Sequence, residues 1–149
     1  MLLPMRAILE HNGHGDRRDL LLKMDVEGAE WEVLDAMDVA DLGRFSQIVI
    51  ELHGLSPFES RDRHAMMLGV LSKLHRTHQC VHVHANTWVP QTWIRDLVLP
   101  SCLEVTFVRR DCGREFVPCT RYFPTSLDAS TFAGLPDVNL GAFQSRQAE

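Results

Sequence analysis

The chain has 149 residues, 45% of them hydrophobic, which is enough for one domain with a core and too few for two. Its formal charge of −5 excludes a broad basic field for nucleic acid, although 13 of its 15 basic side chains are Arg; only a local patch of Arg109, Arg110, Arg114 and Arg121 is left to meet an anion. No apolar run approaches the span of about 20 residues that a membrane helix needs, and "MLLPMRAILEH" is too short and too soon charged for a signal peptide.

In chain order, Met5 to Glu10 is a short apolar helix of a turn or two, closed by the Gly-rich polar turn "HNGHGD". "DLLLKMDV" then reads as a fully buried strand, because Leu20, Leu21, Leu22, Met24 and Val26 do not alternate cleanly with polar residues. Ala29, Val33, Leu34 and Met37 fall near a 3.6 period, so a helix follows, with acidic residues crowding its first turn where the dipole favours them. "FSQIVIELHG", Phe45 to Gly54, is a second strand. Arg61 to His78 carries Met67, Val70, Leu71 and Leu74 at i, i+3, i+4 and i+7, the spacing of a helix. "CVHVHAN" alternates as a third strand, a loop with Trp88, Pro90 and Trp93 comes next, and "CLEVTFVRRD" is a fourth strand. Beyond it Pro, Gly and Ser are frequent and no period persists; the tail is expected to be extended, packed by Phe123, Leu127 and Phe132, and loose at its end.

Alternation of strands with helices predicts an α/β fold built on a mostly parallel sheet, and the last strand pair, which has no helical connection, predicts an antiparallel edge strand. The four cysteines, Cys80, Cys102, Cys112 and Cys119, form no C-x-x-C pair, which predicts reduced thiols in a cytoplasmic protein; a Cys80–Cys102 disulfide is the alternative if their strands are neighbours.

In open parallel sheets ligands bind beyond the carboxyl ends of the strands. At that edge the first strand delivers Asp25 and Glu27, the second Glu51 and His53, and the third His84 and Asn86. Glu27 and Glu30 have a plainer reading as dipole complements, Gly28 as a tight-turn residue, and His53 as an ordinary hydrogen-bonding residue at a strand end. Asp25, Glu27, Glu51, His53 and His84 have the oxygen and imidazole character of a divalent metal site, but no tight spacing supports one. "HNGHGD" lacks the spacing of a metallohydrolase motif and reads as a solvated turn. His82 and His84 share a strand face, as a packed pair or a weak metal clip.

"LLKMDVEGAEWEVL" with its K-x-D-x-E-G-A-E signature, followed by "FSQIVIELHG", resembles the FkbM-type branch of class I S-adenosylmethionine-dependent methyltransferases, and "HVHAN", "LPSCLEVTFVRRD" and "FPTSLDA" resemble the last strands and tail of such domains. The resemblance implies the C-terminal half of a Rossmann-like methyltransferase, strands four to seven, over residues 1–124, with residues 125–149 as an extended C-terminal tail. In this family a Gly-rich loop after strand one and an acid at the end of strand two hold most of the cofactor; no strand with a G-x-G turn precedes Asp19, so the chain reads as a truncated domain with an exposed strand edge, open to a homo-oligomer. The family pattern implies Asp25 and Glu27 beside S-adenosylmethionine, and Asp25, Glu27, Glu51 and His53 as the catalytic set, with His53 the first choice of base for methylation of an oxygen on a small molecule or sugar. Trp88 and Trp93 would line an acceptor pocket or lid the core. Two other readings stay open: a non-catalytic interaction module, and a metal-dependent hydrolase whose metal would depend on Glu51 and His53.

Overall fold

The computed structural model describes residues 4–95 and 97–142. After helix α1 (Met5–His11) the chain runs through β1 (Leu20–Met24), α2 (Glu30–Ala36), α3 (Val39–Leu42), β2 (Phe45–His53), α4 (Arg61–Thr77) and β3 (His78–Ala85). A hairpin of β4 (Gln91–Ile94) and β5 (Leu97–Pro100) leads into β6 (Cys102–Arg109), and a short ribbon of β7 (Tyr122–Phe123) and β8 (Gly141–Ala142) closes the described chain.

The main sheet has the order β1-β2-β6-β3. β1 lies parallel to β2, whereas β6 is antiparallel to both of its neighbours, β2 and β3. The fold is thus mixed α/β, with three co-directional strands and one reversed strand between them. The expected antiparallel edge strand is an interior strand instead. β6 carries β-branched and aromatic residues and no Pro, so both of its hydrogen-bonding edges are usable, and it fills the gap between β2 and β3.

Alternation along β2 sets the two faces. Ile48, Ile50 and Leu52 are buried against Trp31 and Leu34 of α2 and Met67, Val70 and Leu74 of α4, each such side chain contributing about 1.5–3 kcal/mol. Ser60 caps α4 by accepting from Arg63 N–H (3.2 Å). Lys73 donates from Nζ to the carbonyls of Asp35 (2.7 Å) and Met37 (2.9 Å), satisfying the C-terminal end of α2 and pinning the two helices together.

The opposite face is polar: Val49, Glu51 and His53 of β2 stand in register with Thr106, Glu104 and Cys102 of β6, and Thr106 and Glu104 with His82 and His84 of β3. Against this face the C-terminal segment is tied by His82–Asp128 (2.9 Å), His84–Asp137 (3.0 Å) and the edge of the Phe123 ring on His82. Leu127, expected to pack, is 92% exposed; Phe123 and Val138 are the buried anchors. Residues 143–149, where a loose end is expected, lie outside the described residues.

β1 is not the fully buried strand its composition suggests. Leu20, Leu22 and Met24 turn inward, but Leu21 is 60% exposed and Lys23 is exposed, because no further strand lies beyond β1 among the described residues. Arg109 donates to the carbonyls of Arg18 (2.5 Å) and Gly43 (2.9 Å), and Arg110 to that of His75 (3.0 Å), so two of the four patch arginines tie loops.

Candidate functional site at the carboxyl ends of the first two strands

Immediately after β1, the chain makes a turn in which Glu27 (φ 54°) and Gly28 (φ 106°) both take positive φ. This conformation is costly for Glu and accessible to Gly, and it reverses the chain into α2 within a few residues. Glu27 is thereby left exposed on the rim while Glu30, three residues later, is fully buried. One oxygen of Glu30 accepts from the backbone N–H groups of Val26 (3.1 Å) and Gly28 (3.1 Å) and meets His53 Nδ1 at 3.0 Å. Burial opposes ionisation of Glu30, but the backbone donors, with the His53 hydrogen bond, outweigh it and hold its carboxyl below the ordinary range. Its other oxygen, Oε2, is buried with no partner among the described residues.

β2 delivers the facing groups. Trp31, fully buried on α2, donates from its indole Nε1 to the His53 carbonyl (2.7 Å), fixing the end of β2 against the helix. With Nδ1 turned to Glu30, the other nitrogen of His53 points at the rim, 3.5 Å from Glu27 Oε2 and 3.7 Å from Glu51 Oε1. Glu51 Oε1 in turn accepts from Asn86 Nδ2 (2.7 Å) and the Cys102 thiol (3.1 Å). Burial pushes the Glu51 carboxyl up, and the Asn86, Cys102 and Asp25 hydrogen bonds with the His53 charge bring it below its ordinary value. Burial and the Glu51 carboxylate push the Cys102 thiol far up, so it acts as a donor and stays protonated.

The structure therefore brings Asp25, Glu27, Glu51 and His53 together and adds Asn86 from the third strand. It does not add His84, which turns to Glu104 (3.2 Å) and Asp137 (3.0 Å). Glu30, whose position in the sequence suggests only a dipole complement, instead anchors this cluster through His53. A signal for it was present: Glu30, Val33, Leu34 and Met37 stand at i, i+3, i+4 and i+7, so this carboxylate lies on the apolar stripe and needs a buried partner.

Two trios could present ligand atoms to a metal ion, Asp25–Glu27–His53 and Glu51–His53–Cys102, the atoms of each lying within 4.8 Å of one another. The second lacks a thiolate, because Cys102 is held protonated. The first offers two exposed carboxylates and the Nε2 of His53. Cys80 and Cys102, the candidate disulfide pair, are both free, aligned with opposite ends of β6. No described helix is long and apolar enough to cross a membrane.

No curated protein matches the chain significantly, and neither does any solved structure. The family model for the methyltransferase FkbM domain matches residues 2–80, more than half of the chain, spanning β1, α2 and β2, which carry Asp25, Glu27, Glu30, Glu51 and His53. With that match laid over the Asp25–Glu30 turn and the end of β2, the chain belongs to the FkbM methyltransferase domain family.

Proposed function

We propose that this protein takes part in S-adenosylmethionine-dependent O-methylation of a small molecule or sugar. The observation that carries the reading is the state of His53: one ring nitrogen is held by a buried carboxylate and the other faces the open rim. A carboxylate on Nδ1 fixes the proton there and leaves the lone pair on Nε2, as a general base requires. When bound, the cofactor supplies an electrophilic methyl group on a sulfonium. Because that centre is cationic, the carboxylates of Asp25 and Glu27 suit it in charge, and these two residues would hold it at the end of β1. Nε2 of His53 accepts the proton of the acceptor hydroxyl. Glu30 and Glu51, on either side, stabilise the imidazolium that forms, and Asn86 and Cys102 keep Glu51 in place.

The four-stranded sheet fits strands four to seven of a Rossmann-like class I domain, with residues 1–124 as that partial domain and 125–149 as its tail. The contacts to the adenosine part, which proteins of this type make with strands one and two, would come from outside these four strands or from a second chain. Free thiols at all four cysteines suit a reducing cytoplasm.

The test is calorimetric titration of the folded chain with S-adenosylmethionine. Saturable binding that weakens with Asp25→Ala is the expected result; a chain folded by circular dichroism that gives no heat sinks the reading. In that case a second reading gains, an interaction module that pairs through β1, because among the described residues that strand is an open edge with Leu21 exposed. Its signature is a concentration-dependent dimer lost on Leu21→Lys.

A further inference from the structure

Beside the rim lies a cavity of about 400 Å³ between the β4–β5 hairpin and the segment 135–139. Its apolar side is formed by Trp93, Val98 and Pro136, and its polar side by Thr87, Gln91, Asp137 and Asn139. Trp93 is 69% exposed on a two-stranded hairpin outside the main sheet, an unfavourable place for an indole unless something covers it.

The polar groups are of a particular kind. The Asp137 carboxylate accepts from His84 Nε2 (3.0 Å to each oxygen) and from Val138 N–H (2.9 Å), so its position is fixed while a carboxylate retains further lone pairs for ligand hydroxyls. Asn139 uses its Oδ1 on Gly141 N–H (2.9 Å), which leaves the amide NH2 as a donor. Gln91 is exposed and offers both a donor and an acceptor. Among the described residues no Lys or Arg lines the cavity, and His84, the base on Asp137, is spent between Asp137 and Glu104. An anionic ligand therefore has no counter-charge here. A quaternary ammonium would meet a carboxylate already paired with an imidazole, and one indole rather than an aromatic cage.

An indole face flanked by a fixed carboxylate and two amides matches a ring with one apolar C–H face and several equatorial hydroxyls. We infer that this cavity binds a neutral hexopyranoside, and that the sugar is the acceptor of the methyl-transfer reading above. Position supports the link: Asn86, whose amide donates to Glu51 on the rim, is followed in sequence by Thr87, which lines the cavity. Asn86 Oδ1 also accepts from Thr131 (3.1 Å), and Thr87 Oγ1 meets Ser130 (2.9 Å) and Thr131 (2.8 Å), so rim and cavity share one hydrogen-bonded wall.

The experiment is saturation-transfer NMR on the 149-residue chain with methyl glucopyranoside, galactopyranoside and 6-deoxymannopyranoside, with choline and phenol as competitors of other chemistry. The expected result is saturable, roughly millimolar binding of at least one pyranoside, as for small neutral ligands in open clefts. It should weaken about tenfold or more in Trp93→Ala, whose exposed site leaves folding intact, and fall in Gln91→Ala. Choline or phenol binding in place of every sugar, or sugar binding indifferent to Trp93→Ala, overturns the inference. Cofactor binding is measured separately: sugar binding without it removes the methyl-transfer link and keeps the sugar site. Cofactor binding with no pyranoside bound removes the sugar site and keeps the methyl-transfer reading.

Discussion

Two histidines of the same sheet, on β2 and β3 with β6 between them, are each held by carboxylates, yet they are prepared for different work. His84 has both ring nitrogens filled, Nδ1 by Glu104 at 3.2 Å and Nε2 by Asp137 at 3.0 Å, and its side chain is 5% exposed. His53 has one nitrogen filled, by buried Glu30 at 3.0 Å, while the other has only longer ion-pair contacts, 3.5 Å to Glu27 and 3.7 Å to Glu51. A histidine with both nitrogens bonded to carboxylates is a cationic clasp. One with a single anchored nitrogen and an open rim can take a proton and return it. Geometry at the second nitrogen, more than burial or neighbouring charge, separates the two.

The comparison breaks first at His53. If it is the base, His53→Asn should lower methyl transfer by about 10²–10⁴-fold, while His84→Asn should lower it little. Initial rates of methyl incorporation into a pyranoside, on protein whose circular dichroism is unchanged, decide this. Equal losses in the two variants would show that the open nitrogen is irrelevant.

Glu30 comes next. Glu30→Ala strands the N–H groups of Val26 and Gly28 in a buried place and frees His53, for a stability loss of about 1–3 kcal/mol, read as a shift in urea midpoint at constant slope. Glu30→Gln keeps an acceptor for the two amides and should restore most of the stability. The activity should stay low, because a neutral amide no longer supports the imidazolium. Recovery of both together would make Glu30 a structural cap and nothing more.

These residues also show how far the sequence could be read. β2, α4 and the ends of the first two strands were legible because their periods and polar termini are local facts, and Asp25, Glu27, Glu51 and His53 do meet. The position of β6 was not legible: "CLEVTFVRRD" carries the pattern of a strand but no record of which neighbours it joins, since strand order is settled by tertiary contacts. The β4–β5 hairpin was read as a loop because its strands are four residues long, lie between Pro90 and Pro100, and lack an Asn-Gly or Asp-Gly turn; Arg95 takes the positive φ (54°) in place of Gly. Glu30 sits on the apolar stripe of its helix, but its partner is 23 positions away, and only the fold identifies it.

The clasp at His84 predicts a pH dependence opposite in sign to that of the buried His78. Burial works against protonation of His84, but hydrogen bonds and charge from Asp137 and Glu104 outweigh it and raise its pKa. Stability from this clasp is therefore fully present below the ordinary histidine value of about 6.5, and is lost as pH rises through the higher folded value. Burial lowers the pKa of His78, which holds the Phe45 carbonyl at 2.9 Å, so its contribution is complete above about pH 6.5 and is lost as pH falls through the lower folded value. Burial works against ionisation of Asp128, but hydrogen bonds from Thr125, with the charge of His82 and His84, outweigh it and hold its pKa low, so it acts on the acid side as well. In the native protein the two windows adjoin at about pH 6.5, so stability rises up to that pH through His78 and falls above it through His84. His84→Asn, at a cost of about 1–2 kcal/mol near pH 6, should abolish the fall of melting temperature above about pH 6.5 and leave the rise below it in place. A variant whose profile parallels the native one would mean that His84 carries no charge in the folded state.

The smallest effect concerns how each histidine acquires its partners. His84 lies on β3, beyond its register shift at Cys80–His82, and needs no positive φ, whereas the carboxylates around His53 depend on the turn at Glu27 and Gly28. A Cβ on Gly28 would meet no atom within 4 Å, so Gly28→Ala tests conformation alone, at φ 106°. The expected cost is about 1 kcal/mol, or a few degrees in melting temperature. Because Gly28 N–H also donates to Glu30, any relaxation of the turn reaches His53 directly. Gly28→Ala should therefore lower methyl transfer by more than its loss of stability explains, while sugar binding in the cavity beyond Asn86 stays intact. Activity that merely tracks the folded fraction would show that the turn serves the fold and does not set the site.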